Sequence, residues 1–87
     1  MAKYDPLFEF LCRAGDDPVE MSFEQIEQLV GPLPASARRQ TAWWSNEQAV
    51  GSHVQAAAWM RSGREVESLD RSAERVRFSR AAWRRGA

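Results

Sequence analysis

The chain has 87 residues, of which 44% are hydrophobic and 28% are charged, and its formal net charge is zero. This length suits one small domain with a single core, and the composition is typical of a folded protein rather than a disordered one. No apolar run approaches the ~20 residues of a membrane span, and the first ten residues do not resemble a secretory signal. The single cysteine excludes an internal disulfide and fits a reducing compartment, so we expect a cytoplasmic protein with no membrane partner.

The zero net charge hides an asymmetry along the chain. Residues 1–33 carry seven acidic and two basic side chains, whereas residues 34–87 carry ten arginines and five acidic side chains. The planar guanidinium of arginine binds phosphate, carboxylate or guanine through two parallel hydrogen bonds. A GC-rich coding bias would also replace lysine by arginine, and that explanation stays open. The asymmetry predicts a surface with one acidic and one basic side.

The first residues predict a helix followed by a short strand. The segment DPLFEFLCRAG has an N-cap residue in Asp5, a proline in its first turn and a terminating glycine in Gly15. Cys12 lies on this apolar helix, and we expect it in the core as a small hydrophobic residue. Residues 19–22 alternate between apolar and polar side chains, which indicates a strand.

Two helices separated by a tight turn are predicted next. Ser22 and Gln25 form a capping box that starts a helix over residues 23–30, the clearest helix in the sequence. The sequence GPLP then makes a turn, and a third helix is predicted over residues 35–45. Helical spacing assigns three residues of this third helix to its buried face: Ala37, Thr41 and Trp44.

A fourth helix and a β-hairpin complete the predicted elements. Residues 53–63 favour a helix that begins at a second capping box, Ser52 and Gln55. Residues 64–69 and 75–80 alternate as strands, and the opposite charges on their outer face favour an antiparallel pair. Val66, Val76 and Phe78 are predicted to point inward, and Glu65, Glu67, Arg75 and Arg77 to point outward.

The order of these elements is helix, strand, helix, helix, helix, strand, strand. Apart from the fourth helix, this is the order of a winged-helix domain, in which an early strand joins a C-terminal hairpin called the wing. We therefore predict an α+β, winged-helix-like domain over residues 1–80 with a small antiparallel sheet, followed by a short basic tail over residues 81–87. An ordinary α+β sandwich is the alternative, because the order of elements does not determine how they pack.

Five sequence segments resemble a widespread family of small, uncharacterised bacterial domains. These segments are YDPLFEFL, MSFEQIEQLVGPLPASAR, WWSN, HVQAAAW and RVRFSR, and together they extend from residue 4 to residue 80. The family pattern reads Tyr-x-Pro-Leu, Ser/Thr-Phe-x-x-Ile-Glu, Leu-Pro-x-Ser-Ala-Arg, Trp-Trp-x-Asn, His-x-Gln-x-x-Ala-Trp and Val-x-Phe-x-Arg. The resemblance implies no activity, but it marks these family positions: Ser36, Arg38, Trp43, Trp44, Asn46, His53, Gln55 and Trp59.

The sequence offers little for catalysis. The chain has one histidine and one cysteine, which are too few ligands for a zinc cluster and leave no second choice of nucleophile or base for a Cys–His–acid arrangement. The sequence also contains no glycine-rich phosphate loop. The carboxylates Glu24 and Glu27 are expected at ordinary solvated positions of a helix. We therefore expect a protein that is not an enzyme and that needs no cofactor or metal.

Binding to double-stranded DNA is the function that the arginines favour. The start of the third predicted helix carries Ser36, Arg38, Arg39 and Gln40, whose side chains suit contacts with phosphate, guanine and adenine. Arg71 at the predicted hairpin tip, with Arg75 and Arg77 on its second strand, would provide the backbone contacts of a wing. In the alternative interpretation, these arginines only face solvent or pair with the nearby carboxylates Glu47, Glu65, Glu67 and Glu74.

The tryptophans have different predicted roles. Trp44 and Trp59 are expected in the core, whereas Trp43 is predicted to lie beside Arg39 as a partly exposed platform that stacks on a base or anchors a protein. In the alternative interpretation, Trp43 is a structural anchor for the following loop. Asn46 and Gln55 are expected to brace that loop with hydrogen bonds.

A protein partner is the alternative to DNA. A neutral chain of this size with an acidic half and four tryptophans could be an interaction module, or a phage or mobile-element inhibitor of a nucleic-acid-handling complex. If the domain binds DNA, its small size and lack of net positive charge indicate that tight binding needs a homodimer or a fused partner.

Overall fold

The computed structural model describes residues 3–15, 17–46 and 55–81. These residues have the predicted order of elements and confirm the α+β class. The elements are α1 (Asp5–Arg13), β1 (Val19–Ser22), α2 (Phe23–Val30), α3 (Ala35–Arg39), a 3₁₀ helix (Thr41–Trp44), α4 (Ala56–Arg61), β2 (Arg64–Asp70) and β3 (Arg75–Arg80).

The three strands form an antiparallel sheet in the order β1-β3-β2, so the early strand joins the C-terminal hairpin as predicted. Met21 pairs with Val76, and Val66 pairs with Phe78. Because side chains alternate along a strand, these positions place their apolar side chains on the face that meets the helices. Val76 and Phe78 are fully buried there, and Val66 packs at the margin of the core.

Helix α2 begins and ends where the sequence predicts. The Ser22 hydroxyl accepts a hydrogen bond from the Gln25 amide at 3.0 Å, and the Ser22 amide donates to the Gln25 side chain at 2.8 Å. The helix ends at Gly31, whose φ of 87° is accessible to glycine at little cost. The capping box thus provides the local reason why this segment is helical.

A buried arginine closes the C-terminal end of α1. The last carbonyls of a helix have no partners within the helix, and they carry partial negative charge. The guanidinium of Arg64, which is only 3% exposed, donates to the carbonyls of Leu11, Gly15 and Asp17. The first residue of β2 therefore binds one carbonyl in the last turn of α1 and two carbonyls of the segment between α1 and β1, and it joins parts of the chain that are far apart in sequence.

The third predicted helix is shorter than expected, and the prediction of one helix over residues 35–45 is wrong. Helix α3 ends at Arg39, Gln40 is extended with φ −125° and ψ 120°, and a 3₁₀ helix follows. In a continuous α-helix the Ala37 carbonyl would accept a hydrogen bond from the Thr41 amide. In the structure it accepts the indole N–H of Trp44 at 2.8 Å instead, so the break lets Trp44 turn into the core.

Trp44 lies at the centre of an aromatic stack. Its ring is parallel to within 18° with Phe23 on one side and Trp59 on the other, with centroid distances of 5.0 Å and 5.9 Å. Trp59 in turn contacts Phe78 of the sheet at 5.4 Å. The predicted burial of Trp44 and Trp59 is confirmed, and the stack connects α2, the 3₁₀ helix, α4 and β3.

Several smaller predictions need correction. Thr41 is exposed because the break at Gln40 changes the helical phase, and Cys12 is exposed because it lies next to the buried Leu11 on the helix surface. The N-cap of α1 is Tyr4 rather than Asp5. The beginning of the predicted fourth helix, the Ser52 half of the second capping box and most of the predicted tail lie outside the described residues.

Substitution of Trp44 tests the role of the stack. We expect Trp44→Ala to lower the free energy of unfolding by about 3–5 kcal/mol, because it removes a large aromatic side chain from the core. Trp44→Phe keeps an aromatic ring but leaves the Ala37 carbonyl without its donor, which should cost about 1–3 kcal/mol. Urea unfolding followed by circular dichroism measures both values. Equal losses for the two variants would contradict a separate role for the indole N–H.

Candidate nucleic-acid interface

Arg38, a predicted DNA contact, is part of an ionic network within the chain. Its Nη2 and Nη1 lie 3.1 Å and 3.3 Å from the two oxygens of Glu27, and its Nε donates to Glu74 at 3.0 Å. The guanidinium also lies 5.8 Å from the centre of the Phe23 ring. These contacts join α2, α3 and the β2–β3 turn, and two carboxylates compensate the single positive charge.

The network changes the acidity of its members. The hydrogen bond from Arg38, followed by that from the Leu33 amide, lowers the pKa of Glu27. Conversely, the hydrogen bonds to Glu27 and Glu74 raise the pKa of Arg38. The expectation that Glu27 is an ordinary solvated carboxylate is therefore wrong, because the turn after α2 brings Arg38 and Leu33 to it.

Glu74 holds the β2–β3 turn against the helices. Its φ of 54° lies in the left-handed region, which costs a residue other than glycine about 1–2 kcal/mol. Its carbonyl accepts the Phe23 amide at 2.8 Å, and its carboxylate accepts Arg38. Contacts with both α2 and α3 thus offset the unfavourable backbone conformation and fix the hairpin tip next to α3.

The hairpin tip and the end of α3 form a small basic edge, which we define as Arg39, Gln40 and Arg71. The guanidinium of Arg71 donates to the Arg39 carbonyl, and all three residues are exposed. The structure gives the Arg39 guanidinium no hydrogen bond or ion pair among the described residues. The basic edge therefore combines two arginines with an amide side chain at one place on the surface.

The other predicted contacts have partners within the chain or lie apart from the basic edge. Arg75 lies 2.9 Å from Glu20, and Arg77 lies 3.2 Å from Glu67. Ser36 is half-buried in α3. The alternative interpretation, in which arginines pair with nearby carboxylates, is confirmed for Arg38 with Glu74 and for Arg77 with Glu67.

Trp43 is half-buried and contacts other aromatic rings edge-on. Its ring centroid is 6.0 Å from that of Tyr4 and 4.7 Å from that of Trp44. Its carbonyl accepts the Gln55 side-chain amide at 2.7 Å, which confirms that Gln55 braces this part of the chain. These contacts place Trp43 between Tyr4 at the start of α1 and Gln55 at the start of α4.

Asn46 connects α4 to the sheet. Its Oδ1 accepts hydrogen bonds from the Trp59 indole at 3.0 Å and from the Val66 amide at 2.8 Å, and its Nδ2 donates to the Val66 carbonyl at 3.1 Å. The predicted bracing role is confirmed. The sequence did not reveal that its partner is the outer edge of β2.

The comparison with protein families shows to which family the chain belongs. A family model described as a domain of unknown function, DUF7662, matches residues 4–82. The chain belongs to the DUF7662 family. The match contains every helix and strand of the structure and agrees with the resemblance to a family of small uncharacterised domains. Searches of the curated proteins and of the solved structures found no match to this DUF7662 chain.

None of the helices that the structure describes is long and apolar enough to cross a membrane. The longest of them in the DUF7662 domain, α1, has 9 residues. A membrane-spanning helix needs about 20.

Replacing Glu74 separates its backbone conformation from its carboxylate. Glu74→Gly and Glu74→Ala both remove the acceptor of Arg38 Nε, but only glycine adopts the left-handed conformation without strain. We expect Glu74→Ala to be less stable than Glu74→Gly by about 1 kcal/mol in urea unfolding. Equal stability of the two variants would mean that the turn relaxes away from the observed conformation.

The lowered pKa of Glu27 gives a pH-dependent prediction. Because the fold favours ionised Glu27, its contribution is complete above the pKa of the unfolded chain, about 4.3, and is lost as the pH falls through the lower pKa of the folded state. Glu27→Gln should therefore destabilise the domain at neutral pH, and its deficit should shrink at acidic pH. Glu24→Gln, on the exposed side of the same helix, controls for the loss of one carboxylate. A deficit of Glu27→Gln that is independent of pH would contradict the prediction.

Proposed function

We propose that this domain binds double-stranded DNA without catalysing a reaction and that the basic edge makes the central contacts. The observation that carries the proposal is the hydrogen bond from Arg71 to the Arg39 carbonyl. It brings the tip of the wing-like hairpin to the end of α3, so that both elements can approach one DNA duplex together.

The side chains of the basic edge have suitable chemistry for this task. Arginine binds guanine or phosphate, and glutamine binds adenine through a pair of hydrogen bonds. Because Arg39 has no partner among the described residues, its charge can bind DNA without breaking an ion pair with any of them. Gln40 follows it at the break between α3 and the 3₁₀ helix and is exposed. Arg71 would contact the phosphate backbone from the hairpin.

The proposed contact set is smaller than the one that the sequence predicts. Arg38, Arg75 and Arg77 each lie in an ion pair with a carboxylate of the same chain. An arginine that already has such a partner must lose it or share it before it binds phosphate, and this lowers the gain in affinity. Few phosphates are then neutralised, so we propose a homodimer or a second DNA-binding unit for tight binding, and a regulatory role in the cytoplasm.

A protein-interaction module is the second candidate. The specific observation in its favour is that carboxylates of the chain neutralise several arginines while a large apolar side chain, Phe10, remains 40% exposed on α1. Aromatic side chains such as phenylalanine are enriched at protein–protein interfaces relative to the rest of the protein surface.

Titration of fluorescein-labelled duplex DNA by fluorescence anisotropy tests the DNA proposal. At low salt we expect binding of random-sequence DNA at tens of micromolar protein, with an affinity that falls as salt neutralises the phosphate contacts. Arg39→Gln combined with Arg71→Gln should weaken binding, and the loss of the phosphate contact of Arg71 should reduce the salt slope by about one. Arg71→Gln alone should weaken binding to all sequences alike, whereas Arg39→Gln or Gln40→Ala should reduce sequence preference.

Arg13→Gln is the matched control, because it removes the same charge from the 81% exposed Arg13 side chain on α1 in the acidic part of the chain. It should leave DNA binding unchanged. Absence of binding at tens of micromolar protein, or an equal loss in Arg13→Gln, would contradict the proposal and favour a protein partner.

A further inference from the structure

The two outer edges of the sheet differ in how their backbone groups are satisfied. On β2, the side-chain amide of Asn46 bonds to both the N–H and the carbonyl of Val66, as a neighbouring strand would. On the opposite side of the sheet, β1 is the edge strand. An edge strand with unpaired backbone groups can accept a further strand from another chain.

The hydrogen bonds around β1 show which of its residues faces outward. The Ser22 amide donates to the Gln25 side chain rather than to β3, whereas the next amide, that of Phe23, donates to the Glu74 carbonyl in the turn before β3. Because backbone groups alternate in direction along a strand, the N–H and carbonyl of Glu20 point away from β3, like those of Ser22. Among the described residues the structure gives neither group of Glu20 a hydrogen-bond partner.

An apolar groove lies directly beside this backbone. It has a volume of about 220 Å³ and lies between α1, β1 and α2. Phe10, with 40% of its surface exposed, forms part of its wall. The apolar lining residues are Phe10, Val19, Met21 and Leu29, and the polar ones are Glu20, Gln25 and Gln28.

The residues around the groove determine which side chains a bound segment should carry. Among the residues that line the groove, the charged one is the acidic Glu20, and the other polar ones are the neutral Gln25 and Gln28. The side chains of Val19 and Met21 belong to the helix-facing side of β1, and that of Glu20 belongs to the opposite side. A strand added next to β1 would therefore meet apolar surface on one side and the Glu20 carboxylate on the other. Arg75 pairs with Oε1 of this carboxylate at 2.9 Å, and Oε2, which has no partner among the described residues, is the atom that a basic side chain of the added strand would share.

We propose that β1 accepts an extended segment of a partner protein in which apolar and basic residues alternate. The backbone of this segment pairs with the N–H and carbonyl of Glu20, its apolar side chains enter the groove beside Phe10, and its lysine or arginine side chains lie on the side of the Glu20 carboxylate. This site is independent of the basic edge, so it stands whether or not the domain binds DNA. With four residues in β1, the contact is small, and we expect a dissociation constant of roughly tens to hundreds of micromolar.

The first experiment uses a capped eight-residue peptide of alternating valine and lysine, with a peptide of alternating valine and glutamate as control. Amide spectra of the labelled protein should change at Val19, Glu20 and Leu29 with the valine–lysine peptide, at an affinity about tenfold higher than with the control. Hydrogen exchange of the Glu20 amide should be fast in the unbound protein and slow by about tenfold in the complex. The Val19 and Met21 amides, which face β3, should be protected in both states.

The second experiment compares Glu20→Pro with Glu20→Ala. Both variants remove the carboxylate and its ion pair with Arg75, but only proline removes the outward N–H, and an edge strand tolerates proline at such a position. Glu20→Pro should bind the valine–lysine peptide about tenfold more weakly than Glu20→Ala, and circular dichroism should show that both are folded.

Three results would overturn the proposal. The first concerns hydrogen exchange of the Glu20 amide in the unmodified protein: this amide is already protected at low protein concentration without peptide, or the peptide does not protect it. Another is equal affinity of the two peptides. The third is protection of the Glu20 amide that depends on protein concentration without peptide, because it would assign the edge to a second copy of the chain.

Discussion

The position of Trp44 between Phe23 and Trp59 is the constraint on which the rest of the domain depends. The chain leaves the helical path at Gln40, and the indole N–H of Trp44 binds the Ala37 carbonyl that a longer helix would have used. The break in turn decides where α3 ends and which side chains lie at its exposed end. The basic edge therefore lies directly beside the segment that carries Trp44 into the core: Arg39 and Gln40 are exposed at the end of α3, and Trp44 is buried four residues after Gln40.

Four arginines of the chain illustrate two structural roles. Arg64 and Arg38 connect elements that are distant in sequence, the first through backbone carbonyls and the second through carboxylates. Arg39 and Arg71 project from the surface at the end of α3 and at the hairpin tip. The charge asymmetry along the sequence is partly cancelled in the fold, because acidic residues of the first part pair with arginines of the second, as Glu27 does with Arg38. Counting charges along the sequence therefore overstates the positive surface that a DNA duplex could meet.

Features that depend on neighbouring residues were predictable from the sequence, and those that depend on distant residues were not. The capping box at Ser22 and the alternation of the hairpin strands are local patterns, and both appear in the structure as expected. The burial of Arg64 and the pairing of Glu27 with Arg38 arise only when separate elements pack together, so no local sequence pattern predicts them. The break at Gln40 belongs to the same class, since the helical pattern continues through it and the bond from the Trp44 indole to the Ala37 carbonyl exists only in the folded chain. For the candidate site, residue type alone could not separate the arginines that project into solvent from those with internal partners.

The amide of Asn46 has a consequence for how the domain behaves at high concentration. The Asn46 side chain makes the two hydrogen bonds to Val66 that a neighbouring strand would make, and it thereby prevents another chain from pairing at that position. A sheet with one blocked edge and one open edge can join a single further strand, so its growth stops after one addition. If the Asn46 amide were lost, both edges could pair, and the same domain could add to itself repeatedly in both directions. The Asn46 carboxamide thereby keeps the Val66 position of the β2 edge from taking part in such growth.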